Sequence, residues 1–202
     1  MTDVIADITM SLDGYVTGPG ADAQHGLGDA EEIHMWVSSK DEIDTEILRR
    51  ATSATGAVVM GRRLFDVIDG PQGWSKDMGY GADQVGTPPF FVVSHSTPSE
   101  VRLQRELGMQ FTFVSDVADG IAQARSHAKH GHVVIMGGGD VIAQAIDLGL
   151  VDQLHLHIAP MLVGGGTPLF RLGTRQMFHQ RAIRPSSNAI HVVYERKDHT
   201  WE

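Results

Sequence analysis

Short apolar runs alternate with longer stretches of helical spacing along most of the chain. Val4 to Met10, Ala57 to Met60, Pro89 to Val93, Phe111 to Val114 and the run opening at Val133 are too short for helices and rich in β-branched or aromatic side chains. Runs apolar on both faces are how strands of a parallel sheet read when helices cover both sides. Asp7 interrupts the first run and is either an edge-facing residue or one aimed at a site. Between the runs, Asp41 to Ala54 spaces Ile43, Ile47, Leu48 and Ala51 helically, with acids early and Arg49-Arg50 late, as the helix dipole favours. Asp116 can cap a helix that continues to about His130 through Val117, Ile121, Ala124 and Ala128. Gln153 to Ala159 alternates with period two, which puts His155 and His157 on one face of a sixth strand. Phe178 to Arg184 and Ala189 to Glu195 predict a closing hairpin across Pro185-Ser186-Ser187-Asn188. No repeat or linker divides the chain. The pattern predicts one domain over residues 1–202, an α/β fold of three α/β/α layers with a mostly parallel central sheet and a C-terminal antiparallel hairpin.

The run from Val133 carries the strongest chemical signal, because it reads Val-Val-Ile-Met-Gly-Gly-Gly-Asp. Asp140 can then cap a helix with apolar positions Val141, Ile142, Ala145, Ile146 and Leu148, closed by Gly149. A strand, a glycine turn and a helix N-terminus form an anion site, since free backbone N–H groups and the positive dipole end face the ligand together. Gly137, Gly138 and Gly139 lack the Cβ atoms that would keep a pyrophosphate off the main chain. The G-x-G-x-x-G fingerprint is absent, as Ile142 stands three residues after Gly139, and no Walker lysine follows a glycine. A second corner, Gly61-Arg62-Arg63-Leu64-Phe65, offers two arginines suited to forked contacts with phosphate oxygens, or to a solvated basic turn. Ser94-His95-Ser96 ends the third run with hydroxyls where parallel sheets bind ligands. The second triple glycine, Gly164 to Gly166, precedes no helical pattern and reads as a loop. The segment Leu12–Gly28, rich in glycine and acid, has the length of an active-site cover.

Composition narrows the partners. A net charge of −9 over 202 residues argues against nucleic acid or an anionic membrane as main partner. There is no cysteine, which excludes disulfides and thiolate zinc sites. No long apolar segment or basic leader is evident, so a cytoplasmic protein is the expectation. His155 and His157 could begin a metal site, but no third ligand stands near them in the sequence, so no metal and no metal-dependent hydrolysis is expected.

Four motifs now stand in order: Ser-Leu-Asp-Gly-Tyr-Val, Val-Val-Met-Gly-Arg-Arg-Leu-Phe, Val-Ser-His-Ser and Ile-Met-Gly-Gly-Gly-Asp. With Ile-Ala-Pro-Met-Leu-Val-Gly-Gly-Gly-Thr-Pro-Leu-Phe they resemble the dihydrofolate reductase-like superfamily over nearly the whole chain. Within it, the reductase domain of the bifunctional riboflavin-biosynthesis deaminase-reductases, with its stand-alone relatives, is the branch that looks nearest. The resemblance implies hydride transfer from NADPH to a heterocyclic, pyrimidine-like or pterin-like substrate, and a homodimer. It implies that Gly61, Arg62, Arg63 and Leu64 hold the cofactor from one side and that Ser94, His95 and Ser96 take its adenosine end. Gly137, Gly138 and Gly139, with the backbone of Asp140 and Val141, would take the pyrophosphate. The sequence departs from dihydrofolate reductases at Asp140, where those enzymes often carry a base. The acid on the first long helix that assists protonation falls among Asp41, Asp44 and Glu46, with Asp44 the candidate; Asp13 and His157 are further polar candidates near the cleft. A non-catalytic nucleotide-binding or structural dimer that kept the fold is the other reading, since fold and binding do not establish chemistry.

Overall fold

The structure is a computed structural model and describes residues 2–82, 85–128, 130–170 and 175–197. In chain order its elements are β1 (Val4–Ser11), β2 (Tyr15–Thr17), a 3-10 segment (Glu31–Ser38), α1 (Glu42–Ala54), β3 (Thr55–Gly61), α2 (Arg62–Asp69), β4 (Phe90–Val93) and α3 (Arg102–Leu107). There follow β5 (Phe111–Val114), α4 (Val117–His127), β6 (His132–Gly137), α5 (Gly139–Asp147), β7 (Gln153–Ala159), β8 (Thr167–Pro168), β9 (Phe178–Pro185) and β10 (Ile190–Arg196).

Eight strands form one sheet in the order β5-β4-β3-β6-β1-β7-β10-β9. The first six in that order pair in parallel, and the β9–β10 hairpin joins antiparallel through β10 against β7. The expected fold class holds, with the hairpin at the C-terminal edge. Because the register puts alternate residues on opposite faces, the sheet has two cores. On one face Val4, Ala6, Val59, Phe91 and Ile135 meet Ile121 and Ala124 of α4 and Val141 and Ile142 of α5. On the other, Val58, Met60, Phe90 and Val92 meet Phe65 and Ile68 of α2 and Leu103 of α3.

Four elements escaped the sequence pattern. Tyr15–Thr17 and Thr167–Pro168 pair as a two-stranded ribbon, too short to show alternation. The 3-10 segment buries only Ile33 and Trp36, so its apolar period is faint. The helix α3 lacks a side-chain cap from Val101; instead Asp69, at the end of α2, accepts the Arg102 and Leu103 N–H groups at 3.1 and 2.8 Å. Cap and helix are more than thirty residues apart, a distance at which local signals fail. Among the described residues no helix is long and apolar enough to cross a membrane.

Candidate active site

The motifs expected to hold a cofactor meet at the C-terminal ends of β3, β4 and β6, where strand order and crossover helices bring three corners together. The three glycines of the β6–α5 turn have different tasks. Gly137 is buried at φ +131°, in the left-handed half of backbone space that favours glycine, and a Cβ there would lie 3.3 Å from Leu64 Cδ2. A Cβ on Gly139 would lie 3.1 Å from Val16 Cγ2 and 3.3 Å from the Pro168 carbonyl. Gly138, joined to Gly137 by a cis peptide bond, differs: its Cβ would meet nothing within 4 Å. Two glycines are therefore closed against protein, and the middle one opens to the surface as a bare main-chain cradle.

Gly138 is also the N-cap of α5 and offers no side-chain cap. This corrects the expectation that Asp140 caps the helix. Asp140 sits inside the first helical turn, where its negative charge complements the positive end of the dipole. Val141 is buried in the core and packs against Gly61, whose Cβ would come to 3.0 Å from Val141 Cγ2. Glycine at 61 thus lets the end of β3 close onto α5.

Arg62 opens α2 and reaches back over the end of β4. Its Nε pairs with Asp66 at 2.7 Å, and Nη1 donates to Ser94 Oγ at 3.3 Å, Ser96 Oγ at 3.2 Å and the Ser96 carbonyl at 3.1 Å. The guanidinium and both hydroxyls form one polar corner. Arg63 and His95 are exposed beside it, and half-buried Leu64 ties it to the glycine turn.

Asp13 occupies the turn between β1 and β2. Its carboxylate accepts from the Ser11 hydroxyl at 2.5 Å and from the Val163 and Gly164 N–H groups, the latter at 2.7 Å. The Ser11 and Gly164 hydrogen bonds hold its pKa down to about 2. The two oxygens clasp the second glycine loop to the end of β1, which makes Asp13 a positioning group for that loop.

Asp44 is fully buried on the inner face of α1. Its Oδ1 accepts from His191 Nε2 at 2.8 Å, and its Oδ2 accepts from the Ser39 hydroxyl at 2.6 Å and Asn188 Nδ2 at 2.8 Å. Burial alone would raise its pKa; hydrogen bonds from Ser186, Ser39, Asn188 and His191 prevail and hold it down to about 2. As a group that touches substrate, Asp44 is ruled out by this enclosure.

The array continues away from Asp44. His191 Nδ1 lies 2.7 Å from His157 Nδ1, and His157 Nε2 lies 3.0 Å from Asp7 Oδ1. His155 Nδ1 stands 3.9 Å from Asp7 Oδ2. Trp36 lies over both buried rings, with centroids at 4.2 Å from His157 and 5.1 Å from His191, and donates its indole N–H to Thr9 at 2.9 Å. Asp7 belongs to the site and not to an edge, because β1 is flanked on both sides. His191, Trp36 and Thr9 were not legible as site residues. The usable signal was Asp7, an acid in an apolar strand, together with two histidines sharing one face. Among the described residues no three acids or histidines converge to hold a metal ion.

The sheet architecture agrees with the comparisons. Residues 2–192 match the RibD C-terminal domain. The chain belongs to that family. YyaP of Bacillus subtilis strain 168, described as uncharacterized, is 24% identical over 197 residues, covering 95% of this chain and 93% of its own. The same fold occurs in a pyrimidine reductase-like protein of Corynebacterium diphtheriae, with a TM-score of 0.61 and 19% identity, over 98% of this chain and 92% of that one. It also occurs in dihydrofolate reductase of Enterococcus faecalis, solved with NADP(H), with a TM-score of 0.61 and 15% identity over 97% of each chain.

The enclosure of Asp44 has a measurable consequence. A carboxyl held near 2 in the fold, against 3.8 otherwise, adds stability that is complete above about pH 4 and lost as pH falls toward 2. The shift corresponds to roughly 2–3 kcal/mol. Urea unfolding followed from pH 7 down to about 2 should show this acid limb, and Asp44→Asn should lose that stability at neutral pH and flatten the limb.

Proposed function

We propose that the chain is an NADPH-dependent reductase acting on a heterocyclic, pyrimidine-like or pterin-like substrate. The observation that carries the reading is the cradle at Gly138, open where a Cβ would point, at the N-terminus of α5 and level with the Arg62–Ser94–Ser96 corner. A dinucleotide needs both features at once: bare main chain for the pyrophosphate and a cationic fork for the phosphate of its adenosine ribose. Membership of the RibD C-terminal domain family and the fold shared with an NADP(H)-bound dihydrofolate reductase support the reading.

In this reading the bound nicotinamide supplies the hydride, and the protein supplies binding, orientation and protons. Gly138 admits the pyrophosphate, with the backbone of Gly139, Asp140 and Val141 beneath it. Arg62 and the Ser94 and Ser96 hydroxyls take the 2′-phosphate, and Leu64, Arg63 and His95 border them. The Leu12–Gly28 segment covers the nicotinamide. Its base is tied by the Gly18 N–H donating to the Leu27 carbonyl at 2.8 Å, and the Asp13 clasp fixes its start.

We also propose a homodimer. The helices α4 and α5 pack over β3 to β6, whereas Leu156, Ile158, Ile190, Val192, Ile183 and Phe178 make one apolar face on β7, β10 and β9. Ile183 and Ile190 are about half exposed there, an arrangement that a second copy would cover.

Three measurements test these statements. Nicotinamide fluorescence should report tight NADPH binding that Gly138→Ala weakens and Gly138→Val nearly abolishes, both with native circular dichroism; unchanged affinity in a folded variant defeats the cradle. The wild type should prefer NADPH over NADH about tenfold, within the roughly 1.5–3 kcal/mol of a charge-assisted contact. Arg62→Ala should erase most of that preference and barely alter NADH, and equal affinities in the wild type would show that Arg62 serves only Asp66 and the two serines. Sedimentation at micromolar concentration should give a dimer that Ile183→Glu dissociates; a monomeric wild type rejects it.

A further inference from the structure

The buried array Asp7–His157–His191–Asp44 has a proton count fixed by its geometry. Three contacts of 3.0, 2.7 and 2.8 Å link four groups, and each needs one hydrogen between its heavy atoms. Two carboxylates and two neutral imidazoles carry only two. With two hydrogens, either the two Nδ1 lone pairs face each other at 2.7 Å or a bare imidazole nitrogen faces a carboxylate. Neither is a hydrogen bond, and buried polar groups are paired. The array therefore holds three protons and a net charge of −1.

Their placement follows from the surroundings. Asp44 is an anion held by four donors, so His191 donates Nε2–H to it and accepts at Nδ1. Burial lowers the pKa of His191, which keeps that ring neutral. The carboxyl of Asp7 is held below its usual range: burial opposes this, and the charge and hydrogen bond of His157 outweigh it. The third proton then belongs to His157, an imidazolium donating from both nitrogens and lying against the face of Trp36, where a cation is favoured. The ionisable groups facing it are Asp7 from β1, His155 from its own strand, His191 from β10, Asp44 from α1 and His34 from the 3-10 segment.

One end of the array is closed and the other is not. Asp44 has no exposed surface, while the Asp7 side chain is 19% exposed and, among the described residues, its Oδ2 has the 3.9 Å contact with His155. β1 lies beside β6, and Ala6 pairs with Ile135, so Asp7 stands one step before the glycine turn. We infer that the four groups are a proton store that opens into the substrate cleft at Asp7, delivering a proton to a basic ring nitrogen bound there.

The transfer balances within the array. The lone pair of the ring nitrogen takes the proton from the Asp7 carboxyl O–H, which His157 has supplied by passing Nε2–H to the carboxylate. His157 is left neutral, with Nδ1–H still donated to His191, and one proton from water restores it. This inference rests on the reductase reading, since reducing a C=N bond requires a proton at nitrogen besides the hydride at carbon. Asp7 is the catalytic residue, while His157, His191 and Asp44 act through it as positioning residues.

The test uses the whole chain without cofactor and takes 2-aminopyridine, whose absorption reports ring protonation, as probe. Histidine 15N resonances recorded at about pH 8 should show His157 donating from both nitrogens and His191 from one, as the three contacts require. At that pH the bound probe should carry the protonated spectrum while His157 turns neutral. Asp7→Asn should bind the probe at least about tenfold more weakly and leave it unprotonated, the loss expected of a charge-assisted hydrogen bond. Asp44→Asn should leave probe affinity near the wild-type value but change the 15N pattern of His157 and His191; if it unfolds, His191→Gln makes the same comparison. Two singly protonated rings at about pH 8, an unprotonated bound probe, or no probe binding at millimolar concentration overturns the inference. NADPH fluorescence on the same samples separates the outcomes: a protein that stores the proton but fails to bind NADPH retains the array and loses the reductase reading.

Discussion

The constraint on which the molecule depends is the central position of β1. It has a parallel neighbour on each side, and residues on both of its faces, Val4 and Ala6 on one and Thr9 and Ser11 on the other, are buried. Val4 and Ala6 meet that condition in the ordinary way on the face under α4 and α5. The opposite face carries Asp7, Thr9 and Ser11, and polar groups there cost several kcal/mol unless each finds a partner. The partners come from far along the chain. Trp36 satisfies Thr9, His157 satisfies Asp7, and Ser11 turns to Asp13, which in turn holds the loop at Val163 and Gly164. The polar side of one strand thereby fixes the 3-10 segment, the β7–β10 register and the second glycine loop.

This explains which parts were legible in the sequence. The glycine turn was readable because its elements are contiguous: a buried strand, three glycines and an amphipathic helix within residues 132–147. The arginine corner was readable as residue types, although only the fold shows that Arg62, while paired with Asp66 of its own helix, also reaches Ser94 and Ser96. Asp140 failed as a cap because the helix starts two residues earlier, with Gly138 at the cap, and three successive glycines leave that start undetermined from composition alone. The 3-10 segment failed because two buried residues in eight make no period.

Asp44 is the instructive partial success. It was singled out as an acid on the first long helix, and it is the one acid of that helix turned inward. Its proposed contact with substrate did not survive, because the partners that enclose it, Asn188 and His191, lie more than 140 residues away. Period-two spacing put His155 and His157 on one face, yet the third imidazole enters by pairing of β10 with β7, where His191 stands opposite His157. Nothing local to either strand specifies that register.

The two halves of the candidate site depend on each other through β1 and β6. The glycine turn ends β6, and Asp7 lies on the neighbouring strand one step short of it, so a group held by the cradle and a group held by Asp7 share one floor. The cradle is built from absent side chains, and in the proposed reading it would bind through main chain, which tolerates little movement. The proton array is built from buried rings whose hydrogens can shift by tautomer change while every heavy atom stays in place. A reaction that adds a hydride at one atom and a proton at the next needs this division: a rigid surface fixing the donor of one, and beside it a stationary frame within which the other moves.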